Sequence, residues 1–288
     1  MVLRLLLSIL VFCIACPASG QSLLWEISGN GLMQPSYLYG TIHMGSPRVI
    51  SFDSTVIEKL SSCNVFAMEL NPDEPSATNM VSLLRLPDSV SAKDYLNESE
   101  MRVLDSGLNA LSGGFPQALK QFYPIVVSMM LVENSLHHQG KKTVSADIYL
   151  QRRAEWFGLD IISLESTEQQ VEALRAIPLE IQYRSLMDAL NGNVEAENLE
   201  LLERLYLNQN LDSLRQYALD ESDWQNNSDT ILLDKRNRNM VRAMRQHWPD
   251  RSIFVAIGAA HLNGPNGVIA VLKAKGYEVE PIKFNFAK

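Results

Sequence analysis

Cysteine is nearly missing from this chain of 288 residues, which has three. Two of them, Cys13 and Cys16, fall in the apolar opening MVLRLLLSILVFCIACPASG, so Cys63 stands alone beyond it and no intramolecular disulfide is open to the remainder. Positive charge is also short. Lys and Arg number 25 against 33 Asp and Glu, a net charge of −8, with the cations read as scattered, so neither nucleic acid nor an anionic membrane surface is the expected partner. Long apolar runs are absent too: Leu5 to Ala15 falls below the ~20 residues that a spanning helix needs. With Arg4 ahead of it and Pro17, Ala18 and Gly20 behind, that run predicts a cleavable signal peptide over residues 1–20 and an exported chain, 21–288, periplasmic or extracellular and without a transmembrane segment. Cys13 occupies the place where a lipid-attachment motif usually carries Leu, which argues against an anchor at Cys16. No GxSxG, HExxH or Walker loop occurs, so the usual serine hydrolase, zincin and NTPase readings lose their main support.

What the chain does have is β-like pattern at its two ends. LLWEISG and QPSYLYGTIH, joined by GNGLM, predict an opening hairpin, and VFAMEL at 65–70 predicts a buried strand after a short helix at 54–61. From about 76 to 250 the pattern is mostly helical. It includes a capping box at Asn97 and Glu100, a long helix across 116–140 that stops at Gly140, a helix capped by Ser145, the strand LDIISLE, and a helical block that Pro178 kinks or breaks. The last forty residues return to strand, helix, strand in RSIFVAIG, GPNGVIAVLKAKG and YEVEPIKF. The expected fold is therefore α/β: one domain with a mixed sheet built from N- and C-terminal segments and a large central helical insert.

Histidine is scarce, five in all, yet two share one local setting: YLYGTIHMGSP at 37–47 and FVAIGAAHLNG at 254–264 both run from an apolar strand through G-x-x-H. Open α/β sheets bind ligands beyond the carboxyl ends of their strands. If these strands run parallel, His43, His261 and Glu69, at the end of VFAMEL, emerge along one edge. Gly40 and Gly258 then allow a sharp strand exit and a close backbone approach. Two imidazoles and a carboxylate suit a catalytic divalent metal held by His43, Glu69 and His261, and manganese, cobalt and zinc all match such donors. The same trio without metal could work as a general base, one His oriented by Glu69. His137 and His138, neighbours at a solvated helix end, point about 100° apart and do not make a metal pair. Cys63 reads as packed rather than nucleophilic.

The hairpin with YLYGTIHMGS, then VFAMEL, LESTEQQ, LLDKRNRNM and AIGAAHLNGPNGVIAVLKAKGYEVEPI, in this order, resemble the TraB/GumN group, which is similar to the Tiki metalloproteases and more distantly to erythromycin esterases. The resemblance implies a mixed α/β fold and, for the Tiki members, metal-dependent peptide cleavage by two GxxH histidines and a glutamate, which match His43, His261 and Glu69. It also draws in Asp147, Glu165 and Arg236, which fall in resembling segments, as further ligands or charge-stabilising groups. The expected function is a metal-dependent hydrolase acting on a peptide or small-molecule substrate, and the alternative is capture of a peptide or haem without chemistry. The oligomeric state is left open.

Overall fold

A computed structural model describes residues 21–75, 79–112, 116–192, 196–220, 233–248 and 250–287. The signal peptide read at residues 1–20 lies outside the described residues. Six strands form one sheet: β1 (Leu24–Ser28), β2 (Ser36–Thr41), β3 (Val65–Met68), β4 (Asp160–Ser163), β5 (Ile253–Gly258) and β6 (Glu278–Ile282), in the order β4-β3-β5-β2-β1-β6. β4, β3, β5 and β2 run parallel, while β1 is antiparallel to both β2 and β6. The central strands explain the sequence pattern. Every residue of β2 and β3, and all of β5 but its last, is buried, and a strand covered on both faces reads as a continuous apolar run rather than an alternation. The rims differ: β6 alternates exposed Glu278 and Glu280 with buried Val279, and β4 buries none of its residues fully.

The β1–β2 hairpin turns through Gly29, Asn30 and Gly31, all at positive φ, where the missing Cβ of glycine removes the steric penalty. On one face Phe66 and Tyr39 each stack on Phe254 with ring centroids 6.2 Å apart, tying β3, β5 and β2 together. Burying each such ring contributes about 1.5–3 kcal/mol.

The helices are α1 (Ser54–Ser61), α2 (Met80–Leu83), α3 (Glu98–Ser112), α4 (Pro116–Leu119), α5 (Pro124–His138), α6 (Ala146–Phe157), α7 (Thr167–Arg175), α8 (Leu179–Leu190), α9 (Ala196–Leu207), α10 (Leu211–Asp220), α11 (Lys235–His247) and α12 (Val268–Ala274). The single long helix predicted across 116–140 is two helices. Pro124 opens α5, where its missing N–H costs nothing, and the segment before it pairs instead with residues 84–86, through Leu86 N–H to Gln121 O and Tyr123 N–H to Leu84 O. Pro178 likewise separates α7 from α8. The Asn97–Glu100 box forms as expected: Asn97 Oδ1 accepts from Glu100 N at 3.0 Å, and Glu100 Oε2 accepts from Asn97 N at 2.8 Å. Ser145 does hold the N-cap position of α6, but its hydroxyl turns to the Asp147 carboxylate instead of a helix N–H.

Most of the core surrounds the sheet, and α6 packs on β3, β4 and β5. A smaller separate core of Leu104, Leu108, Val127, Tyr183 and Leu186 joins α3, α5 and α8. Among the described residues no helix is long and apolar enough to cross a membrane.

Candidate functional site

Each of the four parallel strands delivers one polar side chain at its carboxyl end. His43 follows β2 and Glu69 follows β3, Glu165 lies two residues past β4, and His261 ends the 3-10 turn 259–261 that follows β5. The start of α11 contributes Arg236 and Asn237, and the first turn of α6 contributes Asp147. Parallel pairing of β2 with β5 and of β5 with β3 brings the two G-x-x-H turns and Glu69 to one place.

Gly258 marks where they meet. A Cβ built on it would lie 3.3 Å from Glu69 Oε1, 3.6 Å from His261 Cδ2 and 3.9 Å from His43 Nε2, so the space over this glycine is shared by all three side chains. Its backbone N–H donates to Glu69 Oε1 at 2.8 Å. Close backbone approach is thus its role, whereas a special backbone angle is not, since φ is −52°. Gly40 differs from the expectation of a strand exit. It lies inside β2, and a Cβ there would press at 3.0 Å on Leu23 and Leu262 and at 3.1 Å on Ala259, so it is kept small by packing.

Glu69 is buried, and burial by itself would raise its pKa. The fields of His261, Arg236 and His43 and the Gly258 N–H outweigh that and hold the carboxyl at about 2, so it is ionised at neutral pH. Arg236 Nη2 donates to Glu69 Oε2 at 2.7 Å and to Glu165 Oε2 at 2.6 Å, and its Nε donates to Glu165 Oε1 at 2.8 Å. Burial opposes the guanidinium charge, but the two carboxylates raise its pKa. Gln170 Nε2 reaches Glu69 Oε2 at 3.4 Å.

His261 is buried, and desolvation lowers its pKa to about 4, which leaves it neutral at neutral pH. Its tautomer follows from a chain of bonds. Asn237 Nδ2 donates to the Asn266 carbonyl at 2.8 Å, so Asn237 Oδ1 is an acceptor, and His261 Nδ1, 2.6 Å away, carries the proton. Nε2 is then a bare lone pair, 3.8 Å from the ionised Glu69 Oε1. Two electron-rich atoms face each other, a pairing that a cation between them would relieve.

His43 contrasts with it. Its side chain is 65% exposed, and Nδ1 lies 3.1 Å from Asp147 Oδ2, whose hydrogen bond raises the imidazole pKa to about 9. Burial would raise the pKa of Asp147, yet the bond to His43 lowers it. Both histidines therefore have Nδ1 engaged by a side-chain oxygen, which is how metal-bound imidazoles are oriented; His43 presents Nε2 to the space at Gly258, and His261 presents its Cδ2 edge there with Nε2 toward Glu69 Oε1. His43 is charged at neutral pH and must release its Nε2 proton to act as a ligand; with that proton gone, the donor types suit a divalent ion. The donors are not closed around one point, however: among the described residues no group of three His, Cys, Asp or Glu is arranged to hold a metal.

A cleft of about 400 Å³ opens beside Glu69, His43 and Asp147, with Met68, Leu70, Met80 and Leu84 among its apolar walls. A larger cleft of about 750 Å³, lined by residues 44–48 and 141–143, contains none of these site residues. The remaining candidates stay apart. His137 and His138 are exposed at the end of α5, and Cys63 is buried, its thiol pushed up to about 12 by desolvation. Asn237 was not legible as a site residue, although one signal existed: it shares the buried face of α11 with Met240, Val241 and Met244, an odd place for an amide.

Similarity to known proteins covers this whole arrangement. The chain is 28% identical to metalloprotease TIKI1 of Danio rerio and 25% identical to metalloprotease TIKI1 of Homo sapiens, over 90% of its own length in each case and 63% and 61% of theirs. It is 24% identical to the uncharacterized protein YbaP of Shigella flexneri, over 83% of this chain and 88% of that one. The chain thus spans less than two thirds of the TIKI relatives. No solved structure matches. Residues 23–281, from the first hairpin to the last strand and with every site residue inside, match the model of one family, and the chain belongs to it: the TraB/PrgY/gumN family.

Proposed function

We infer that the cluster at the sheet edge is the active site of a metal-dependent hydrolase acting on peptides. The observation that carries this reading is the bare Nε2 of neutral His261 facing ionised Glu69 Oε1 across the space that His43 Nε2 also borders. His43, Glu69 and His261 would hold the ion, and a bound divalent ion would polarise a carbonyl and make water acidic enough to attack near neutral pH. Asp147 and Asn237 fix the two imidazoles by accepting their Nδ1 protons. Arg236 keeps Glu69 ionised and in place by bridging it to Glu165, and the apolar walls of the cleft suit the side chains of a peptide. The TIKI relatives, named metalloproteases, support peptide hydrolysis as the reaction class.

The test is a peptide-library cleavage screen on wild-type protein and Glu69→Gln, with and without chelator. Cleavage that chelator abolishes, a divalent ion restores and Glu69→Gln lacks is expected. Chelator-resistant cleavage would point to His43 working with Asp147 as an acid–base pair. Saturable peptide binding without cleavage would move the protein to the capture class.

A further inference from the structure

Lys and Arg look scattered along a chain of net charge −8, but the fold gathers four of them around one groove between α11 and α12. Arg238, Arg242 and Arg245 recur at i, i+4 and i+7 along the exposed side of α11, and Lys275 closes the groove just past α12. At 1.5 Å rise per residue the first and last arginine stems stand about 10 Å apart. The groove encloses about 360 Å³, and no acidic residue lines it. Cations held side by side repel one another, and four with no carboxylate among them leave a strong local field on an otherwise negative molecule. The groove is walled by Pro265, Asn266 and the small residues Ala270 and Ala274, which leave the guanidinium groups room to converge on a ligand.

Asn266 belongs both to this groove and to the hydrogen-bond chain behind His261: its carbonyl accepts from Asn237, and its side-chain amide donates to Asp234 at 2.7 Å. The groove therefore backs onto the support of the candidate site without containing any of its proposed ligands.

We propose that this groove binds a small phosphate-bearing ligand. Arginine presents a planar fork of donors that matches phosphate oxygens two at a time, and three forks in a row suit a ligand with more than one phosphate charge. A lone carboxylate would leave most of these donors unused. The volume suits a diphosphate or a phospholipid head group, two sources of the same chemistry.

The experiment titrates the full chain with inorganic pyrophosphate by calorimetry, and in parallel floats it with vesicles of phosphatidylglycerol or of phosphatidylcholine. Wild-type protein, Arg242→Ala/Arg245→Ala and His43→Ala are compared, each checked for an unchanged unfolding midpoint. Saturable binding to pyrophosphate or to phosphatidylglycerol vesicles is expected, reduced at least tenfold in the double arginine variant and retained in His43→Ala. Binding in the pyrophosphate arm alone identifies a free phosphate ligand, and binding in the vesicle arm alone a head group. No saturable binding in either arm, binding that the arginine substitutions leave unchanged, or binding lost in His43→Ala would overturn the proposal.

Discussion

The two G-x-x-H turns are near copies as sequence and opposites as environments. His261 is buried, bonded to a neutral amide and held neutral, whereas His43 is open to solvent, bonded to a carboxylate and held in its charged form. Their glycines differ as well: Gly258 leaves room for the site, and Gly40 leaves room for neighbouring core residues. A short motif specifies where a side chain leaves the sheet, and the partner that meets it from a distant helix sets its charge. One half of the candidate site is thus a hydrogen-bonded block of buried Glu69, Glu165, Asn237 and His261 with half-buried Arg236, and the other half is a more open arm of His43 and Asp147.

The largest effect should come from breaking the buried half. Arg236→Ala strands two buried carboxylates, Glu69 and Glu165, and should cost about 3–5 kcal/mol in urea unfolding. Asp147→Ala removes the corresponding partner in the open half and should cost under about 1 kcal/mol, because the His43 side of that pair is mostly solvated. Equal losses would erase the distinction between the halves.

Activity should sharpen it. Asn237→Ala and Asp147→Ala each free an imidazole from its orienting partner, and each should lower activity or metal affinity by about 10–100-fold. Asn237→Ala should also cost more stability than Asp147→Ala, about 1–3 kcal/mol, since it leaves the Nδ1–H of His261 and the Asn266 carbonyl without their partner.

The pH dependence of stability in chelator separates the two histidines by sign. For His261 the folded pKa of about 4 lies below the ordinary 6.5, so between these values the unfolded chain takes up a proton that the folded chain refuses, and stability falls as pH falls from 6.5 to 4. Glu69 extends the acid loss, because its contribution is complete above its ordinary 4.5 and disappears as pH falls through about 2. For His43 the folded pKa is raised to about 9, so its contribution is complete below 6.5 and is lost as pH rises through 9. The alkaline loss should be the smaller, since solvent screens the His43–Asp147 pair. Urea titrations across pH should show His261→Gln flattening the limb between 6.5 and 4, and His43→Gln flattening only the limb above 6.5.

Legibility in the sequence followed the range of the interactions. The apolar strand segments, the α1 helix and the Asn97–Glu100 box depend on neighbours in sequence, and the G-x-x-H pair repeats a local pattern, so these could be read directly, whereas the parallel pairing that brings the strand ends together stood only as a condition. The break at Pro124 could not, because the segment before it is held by residues 84–86. Asn237 was missed for the same reason: its two bonds run to His261 and Asn266, on a turn that the sequence does not place beside α11. The basic groove likewise exists only once α11 and α12 are packed together.

The claim that the two unlike turns form one metal site is tested most directly by metal content. Elemental analysis after equilibration with a limiting divalent ion should be made on wild-type protein, His43→Ala, His261→Ala and the double variant. Each single variant should lose nearly as much metal as the double, because the two ligands that remain no longer make a site. Metal content that falls additively, or that survives in either single variant, would contradict a shared site.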